Sequence, residues 1–425
     1  MEKAYKYRIY PTKYQKELIQ KTFGCVRFIY NHFLYEQMEM YQTDKAHMSF
    51  YDMSKVLTGL KQENDWLKEP DKCALQNTLK DLNASYQNYF RKMKKPSYVR
   101  YSKEKLEHLA KIGKSPTLYD SNGHPKFKKK KDHYHFYRTN YSNNNIDFLD
   151  RKIKLPKLGW LKTKDKMIPQ GRILNATVSQ EPSGNYYVSI CCTDVDIKPL
   201  PKTSKTIGLD LGIKDFCVDS DGIHYPNPRY LSKSMHKLKR LQRELDRKTK
   251  FGSNWEKSRI RLARQYEKIT NQKTDYLQKL STELIRKNDV IKIEDLDIQE
   301  MIGKSQGLTN KEKTNFRKEI SEVSWYEFTR QLEYKARWYD KTLVKVDKYY
   351  SSSQLCHICG YKNPRVKDLS VRKWKCPECG MRVPMASGWV IGQGSKTVAK
   401  LHPNGDHYDI EIKMNASADE MKSAA

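Results

Sequence analysis

Four cysteines have the spacing of a metal site. Cys356-x2-Cys359 and Cys376-x2-Cys379 form two CxxC pairs separated by sixteen residues. Each pair can wrap half of a tetrahedral site, and four thiolates satisfy Zn²⁺ with no position left open. Gly360 and Gly380 follow the second cysteine of each pair, where a knuckle needs a permissive backbone. A closed four-cysteine site does no chemistry itself; it staples the fold. The other five cysteines, Cys25, Cys73, Cys191, Cys192 and Cys217, are scattered. That pattern argues against a disulfide framework and for small buried side chains in a reducing, cytoplasmic setting.

A second chemistry is written in carboxylates that interrupt apolar strands. The run Thr206-Ile207-Gly208-Leu209-Asp210-Leu211-Gly212-Ile213 is broken only by Asp210. An unpaired charge in a buried strand is expensive, so either a cation compensates Asp210 or the residue faces a cleft. The same anomaly recurs in Val290-Ile291-Lys292-Ile293-Glu294-Asp295-Leu296, where Glu294 ends a β-branched run. On neighbouring strands the two carboxylates could share hard divalent cations such as Mg²⁺. Paired metals of that kind activate water and stabilise the leaving oxygen of a phosphodiester. Nearby Lys or Arg could equally satisfy both acids. A metal site of this type also needs a third carboxylate.

The elements that must position these residues sit in a strongly basic chain. Its 425 residues carry 81 Lys plus Arg against 50 Asp plus Glu, a net charge of +31. Such self-repulsion is unfavourable for a general small-molecule enzyme and points to a polyanionic partner. With 29 Tyr, 12 Phe and 7 Trp the chain has enough large apolar groups to exclude full disorder. The length predicts two to four domains. The N-terminal Met1-Glu2-Lys3-Ala4-Tyr5-Lys6 predicts no secretory signal, and no apolar window is long enough for a transmembrane helix. No membrane partner is expected, because the basic segments lie within strand and helix patterns.

Residues 4–10 alternate like a strand and are closed by Pro11. From Thr12 to about Arg91 the spacing turns helical, with Leu18, Ile19 and Phe23, then Leu75, Leu79, Leu82 and Tyr86. Residues 133–200 are rich in strand signals, and Pro182-Ser183-Gly184-Asn185 marks a hairpin between 176–179 and 186–190. From Ile207 to about Tyr350 the order is strand, long helix pair, strand, helix, strand. The run Lys128-Lys129-Lys130-Lys131, with Phe127 and Tyr134 beside it, offers charge and stacking surface for nucleic acid, or else is a solvated loop. Helix faces bearing Arg259, Arg261, Arg264 and Lys268 allow the same two readings.

Taken in order, these segments resemble the TnpB family of transposon-encoded RNA-guided nucleases, related to type V CRISPR effectors. The resemblance runs from about residue 5 to residue 380. It rests on Arg8-Ile9-Tyr10-Pro11-Thr12 with Gln15, Phe23-Gly24, Arg27-Phe28-Ile29-Tyr30-Asn31 and Leu155-Pro156-Lys157-Leu158-Gly159. Gly208 to Lys214 is similar to the first RuvC motif, and Asp275-Tyr276-Leu277 with Lys279-Leu280-Ser281, then Ile293-Glu294-Asp295-Leu296, to the second. Leu332 to Ala336, Ser352-Ser353-Gln354 and Trp374 to Gly380 complete the series.

The resemblance implies a multi-domain α+β protein. A split β-barrel wedge domain would comprise residues 1–10 and 126–200, with a helical recognition domain at 11–125. An RNase H-like RuvC domain would follow at 205–350, then a four-cysteine zinc ribbon at 351–382, inserted or appended, and an atypical tail at 383–425. Asp210 and Glu294 would be the first two catalytic, Mg²⁺-binding carboxylates, and Arg8, Arg27, Lys128, Lys129, Lys130, Lys131 and Arg261 nucleic-acid contacts. The implied activity is cleavage of double-stranded DNA beside a short adjacent motif, directed by a guide RNA from the transposon's right end. The implied location is cytoplasmic and nucleoid-associated. Base pairing would read the sequence, leaving the protein to grip the hybrid by its backbone.

The chain departs from the family shortly after Gly380. A third motif of the form D-x-N-A-A is expected there, yet Met381-Arg382-Val383-Pro384 and an unfamiliar stretch follow. The nearest match, Lys413-Met414-Asn415-Ala416-Ser417, has Lys in place of the aspartate. Asp406, Asp409 and Asp419 are the substitutes within the tail. Two other readings follow: an RNA-guided DNA-binding repressor that cannot cut, and a guide-free basic DNA-binding accessory protein.

Overall fold

The computed structural model describes residues 1–44, 46–132, 134–296, 310–346, 356, 359, 361–363, 373–380 and 382–384. The chain forms two compact units, Met1–Asp196 with Thr249–Arg264, and Ile197–Lys248 with the chain from Gln265 onward. Both mix helices with sheet. Among the described residues no helix is long and apolar enough to cross a membrane.

The first unit is organised by strand β1 (Lys3–Tyr10), whose Tyr5, Tyr7 and Ile9 point inward while Lys6 and Arg8 point out. Helices α1 (Lys13–Asp44), α2 (Phe50–Glu63), α3 (Lys72–Met93) and α4 (Lys103–Lys111) follow. Six further strands come next: β2 (His135–Asn140), β3 (Asp147–Leu149), β4 (Lys152–Leu155), β5 (Gly159–Thr163), β6 (Arg172–Gln180) and β7 (Tyr186–Thr193). They join β1 in one sheet of order β2-β6-β7-β1-β5-β4-β3. The inward residues meet across strands, Tyr5 opposite Ile190, Tyr7 opposite Val188 and Ile9 opposite Tyr186, which fixes the register through burial. The β6–β7 hairpin closes through Glu181 to Asn185, with Gly184 N donating to Glu181 O at 2.9 Å.

Helix α1 begins with a reciprocal cap. Thr12 N donates to Gln15 Oε1 at 2.9 Å and Gln15 N to Thr12 Oγ1 at 3.3 Å. Gln15 Nε2 also donates to the carbonyls of Leu158 and Trp160. One glutamine therefore both starts the helix and ties it to the start of β5.

In the second unit the strands are β8 (Thr206–Leu211), β9 (Asp215–Asp219), β10 (His224–Pro226), β11 (Val290–Glu294) and β12 (Thr342–Val346). Their order is β10-β9-β8-β11-β12. Strands β8, β11 and β12 are parallel, whereas β9 and β10 are antiparallel additions. The helices are α5 (Tyr230–Asp246), α6 (Ser253–Lys287), α7 (Asn310–Val323) and α8 (Trp325–Tyr339). The first part of α6, up to Arg264, clusters with the other unit. The core joins Ile207, Leu209, Ile291 and Ile293 of the sheet to Leu277, Leu280 and Leu284 of α6, Ile320 of α7, and Phe328 and Leu332 of α8.

Buried charges hold this unit at particular points. Asp289 accepts from Thr203 N at 2.8 Å, Ser204 N at 2.6 Å and the buried ammonium of Lys341. The Lys341 hydrogen bond and these backbone amides hold the Asp289 carboxyl well below the usual carboxylate range. This clasp fastens the N-terminal ends of β8, β11 and β12, leaving their C-terminal ends for other use.

Glu322 of α7 is 8% exposed and accepts from Ser232 N, at 3.0 Å, and from the Ser232 hydroxyl. It thus caps α5, whose own N-cap, Arg229, gives no side-chain cap. Glu322→Ala should lower stability by about 1–2 kcal/mol, measurable by urea unfolding, with Glu322→Gln losing less.

Lys335 of α8 is 4% exposed. Its three ammonium protons reach Gln278 O at 2.9 Å, Ser281 Oγ at 2.7 Å and Thr282 Oγ1 at 2.8 Å. With only neutral acceptors around it, burial lowers its pKa to about 8. The unfolded value is about 10.4, so between about pH 8 and 10.4 the unfolded chain holds more protons than the folded one. Stability contributed by this site therefore rises with pH across that window, by at most ~3 kcal/mol, and is flat below it. Lys335→Met should remove that rise, seen as a gap between variant and wild-type unfolding curves that changes from pH 7.5 to pH 10.

Candidate active site and metal centre

Asp210 lies next to the C-terminal residue of β8, and Glu294 is the last residue of β11. The two strands are parallel and in register, with Ile293 beside Leu209. The next pair along is therefore Glu294 beside Asp210, on strands spaced about 4.8 Å apart. Leu209 and Ile293 are fully buried in the core, so alternation turns Asp210 and Glu294 to the opposite face. Both are half-buried. This places two carboxylates at the end of a parallel pair where open α/β sheets bind ligands.

Their surroundings are acidic. Cys217 of β9 has its thiol pushed up by burial first, and then by the carboxylates of Asp219, Asp210 and Asp215. The nearby acids are not equivalent. Asp219 is 1% exposed, accepts from Asp221 N and Ile223 N, and takes the Tyr225 hydroxyl at 3.2 Å. It is a turn staple with its oxygens occupied. Asp215 is within 2.9 Å of His224 Nδ1. Lys292 stands two residues before Glu294 on the same face, in register with Gly208, and burial lowers its pKa.

Gly212 shows why the turn after Asp210 is tight: a Cβ there would lie 2.8 Å from the carbonyl oxygen of Asp215. Asp406, Asp409, Asp419 and the segment 413–417 lie outside the described residues, as do Ser352 to Gln354 and Gly360.

Cys356, Cys359, Cys376 and Cys379 converge, all four Sγ atoms lying within 4.8 Å of one another. Cys356 and Cys379 are 3.5 Å apart and Cys359 and Cys376 3.4 Å. A tetrahedral zinc site of four thiolates with bonds of about 2.3 Å has sulfur separations near 3.8 Å, so the cluster fits that ion. Burial would raise the Cys376 thiol, but the N–H groups of Cys379 and Glu378 and the Cys359 thiol bring it to about 7. Gly380 takes φ +69 and returns its N–H to Cys376 O at 2.9 Å. Strand β13 (Lys373–Lys375) pairs with β14 (Arg382–Pro384) around this knuckle. Val383 and Pro384 thus belong to the hairpin. Among the described residues these cysteines are the only group of three or more Cys, His, Asp or Glu able to share an ion.

The basic residues fall into several places in the first unit. Arg27, Lys128 and Lys129 line a cavity of about 120 Å³ with Phe23, Tyr134 and Phe136. Asn31 holds this edge by exchanging hydrogen bonds with the backbone of Lys128, 2.9 and 2.8 Å. The Lys128 ammonium stands 4.1 Å from the Tyr30 ring centre and 5.4 Å from that of Phe136, and burial lowers its pKa. Lys131 lies over Phe251 at 3.7 Å, and Lys130 is exposed. Arg8 donates to Asn185 Oδ1 at 2.7 Å, and Arg261 is exposed on α6; neither lines that cavity. Arg259 is committed to structure, gripping Glu256 with two hydrogen bonds and donating to Pro182 O.

A protein of Streptomyces pristinaespiralis named “Putative RNA-guided DNA endonuclease” is 30% identical over 384 residues, 89% of this chain and 85% of its own. “Putative RNA-guided DNA endonuclease InsQ” of Escherichia coli is also 30% identical, over 88% and 87%. The chain belongs to the TnpB family. Family descriptions match in three places of this TnpB chain: “Helix-turn-helix domain” at 1–46, “Probable transposase” at 189–305 and “Cas12f1-like, TNB domain” at 325–384. The first of these folds here as a strand and one continuous helix. “TnpB-like protein L79” of Acanthamoeba polyphaga mimivirus is 26% identical over 42% of this chain and 35% of its own. A solved structure titled “Structure of the mini-RNA-guided endonuclease CRISPR-Cas_phi3” matches 92% of this TnpB chain and 91% of that one, at 10% identity and TM-score 0.48.

Proposed function

We propose that this TnpB protein binds a guide RNA, is directed by it to double-stranded DNA, and cleaves that DNA in a divalent-metal-dependent reaction. The observation that carries the reading is the side-by-side placement of Asp210 and Glu294 at the C-terminal ends of two parallel strands. The relatives named as RNA-guided DNA endonucleases support the substrate class, and the order of the second sheet supports an RNase H-like RuvC assignment.

Asp210 and Glu294 would hold Mg²⁺ through oxygen ligands, which when bound supplies an activated water and neutralises charge developing on the phosphate. The chain's own contribution is to hold the two carboxylates on rigid strands, with the Asp289–Lys341 clasp at the far end of the sheet. The four cysteines would hold Zn²⁺ and do no chemistry. Arg8, Arg27, Lys128 to Lys131 and Arg261 would contact phosphates, with the aromatic rings beside Lys128 and Lys131 offering stacking surface. The guide would come from the transposon's right end.

A second reading, an RNA-guided DNA-binding repressor, is favoured by the departure after Gly380, where no third-motif aspartate follows and the nearest match, Lys413 to Ser417, has Lys in its place. A supercoiled plasmid carrying a target matched to the co-purified RNA separates the two. Nicked or linear product with Mg²⁺ and none with EDTA is expected; tight binding with no cleavage establishes the repressor.

A further inference from the structure

The sheet of the first unit carries a cavity of about 190 Å³ that neither metal centre uses. Tyr7 of β1, Ile153 of β4 and Thr163 of β5 line it and are all buried. Phe148 of β3 lines it too, its ring centre 5.9 Å from that of Tyr7. Leu149, Met167 and Ile168 complete its apolar lining, and each is more than half exposed. The turn between β3 and β4 is fixed at this place, because Arg151 O accepts from Thr163 N at 2.8 Å. A cavity of about 150 Å³ takes a benzene ring, so this one has room for a ring with its substituents.

Tyr7 brings to the cavity a hydroxyl that packing alone does not need. The residue is 1% exposed, and its hydroxyl has no hydrogen-bond partner among the described residues. An unpaired buried hydroxyl costs stability, so phenylalanine would serve better here unless a ligand supplies the partner. Tyr5 has the same orphan hydroxyl but does not line the cavity, which makes it a natural control. Burial, then Tyr5, Cys192 and Asp165, push the Tyr7 phenol up, so the Asp165 carboxylate lies within electrostatic reach of it. Asp165 also lines the cavity, placed there by its own N–H, which donates to Thr163 Oγ1 at 3.2 Å.

These groups describe a flat ligand with apolar faces and a polar edge. Guanine has that edge: O6 accepts from a hydroxyl, while N1–H and the N2 amino group donate to a carboxylate. Arg151, Lys152 and Lys166 line the cavity and are exposed, against Asp150 and Asp165, a balance that favours a phosphate at the mouth. The exposed rim residues Leu149, Met167 and Ile168 are not aromatic, so the neighbouring bases of a strand would find no stacking platform there. We propose that this cavity binds a free guanine mononucleotide, with its base inward against Tyr7 and Asp165 and its phosphate outward. The site depends on neither metal centre and on no guide.

The test is calorimetric titration of GMP, and of ribose 5-phosphate as the phosphate without the base, into the full chain with the RNA that co-purifies. Wild type, Tyr7→Phe, Tyr5→Phe and Asp165→Asn are compared. Wild type should bind GMP saturably and ribose 5-phosphate at least about tenfold more weakly. Tyr7→Phe should weaken GMP binding about five- to tenfold and Asp165→Asn by about tenfold or more, with Tyr5→Phe unchanged. Without GMP, Tyr7→Phe should melt no lower than wild type, and added GMP should raise its melting temperature less. Absence of saturable GMP binding, equal binding of ribose 5-phosphate, or equal losses in Tyr5→Phe and Tyr7→Phe would each overturn the proposal. So would early melting of Tyr7→Phe, which would show a hydroxyl bonded within the protein. Loss of co-purified RNA from Tyr7→Phe, with no GMP binding by wild type, would place a nucleotide of the RNA in the cavity and overturn it as well.

Discussion

Asp210→Ala is expected to abolish cleavage of a matched plasmid, by more than about 10³-fold, while target binding stays within a few-fold of wild type. The scale follows from the role of a direct ligand. Residues that merely support metal ligands already cost 10–100-fold when removed, and a direct ligand sets the position of the ion itself. The location argues that Asp210 is not there for stability. It is half-buried beside Glu294 and within electrostatic reach of Cys217, as are Asp215 and Asp219. Asp210 and Glu294, side by side on one face, repel one another unless a cation lies between them. Removing Asp210 should therefore leave the melting temperature unchanged or raise it. If Asp210 served mainly to pair with Lys292, its loss would expose a buried lysine to the full cost of desolvation and lower stability. A variant that melts earlier yet still cuts would contradict the metal-ligand role. Asp210→Asn, which keeps the shape and loses the charge, should behave like Asp210→Ala in cleavage.

Some of this site is legible in sequence because it violates a local rule. An aspartate inside Ile207-Gly208-Leu209-Asp210-Leu211 is conspicuous, as is a glutamate closing Val290 to Ile293, since apolar strands otherwise exclude charge. The cysteine pairs are visible for a similar reason: their spacing has little use apart from a metal. What a single sequence does not contain is register. That Glu294 lands beside Asp210 depends on Leu209 pairing with Ile293, a contact between strands separated by two long helices.

Buried charges are hidden for the opposite reason. Asp289, Lys335 and Lys341 look like surface residues until burial and partners are known, and each is enclosed by backbone carbonyls, amides or hydroxyls supplied by distant segments. Arg259 resembles Arg261 in a list of basic residues, but Glu256 and the Pro182 carbonyl consume its guanidinium.

Cys376→Ser is expected to abolish tight zinc binding, from about one equivalent per chain to almost none, and to unfold the segment from Lys373 to Pro384. The reason is the poverty of everything else holding that segment. Strands β13 and β14 pair over Lys373–Lys375 and Arg382–Pro384 alone, and a two-stranded ribbon is marginal in water even when longer. The apolar cluster there consists of Cys356, Trp374 and Cys376, with Tyr361 packed against it. Two of its three buried members are thiols aimed at the metal position, so without the ion the cluster loses both its centre and its charge balance. A structural zinc site contributes about 10–16 kcal/mol of apparent binding energy at neutral pH, far beyond what one exposed hairpin can replace. Elemental analysis should show the metal lost, Trp374 should become accessible to a fluorescence quencher, and a protease should cut between 373 and 384 in the variant or in chelator-treated wild type. The units built on the two larger sheets should keep their own unfolding transitions, because their cores contain none of these cysteines. Full zinc retention by Cys376→Ser, or a protease pattern indifferent to chelation, would show that the hairpin stands without the ion.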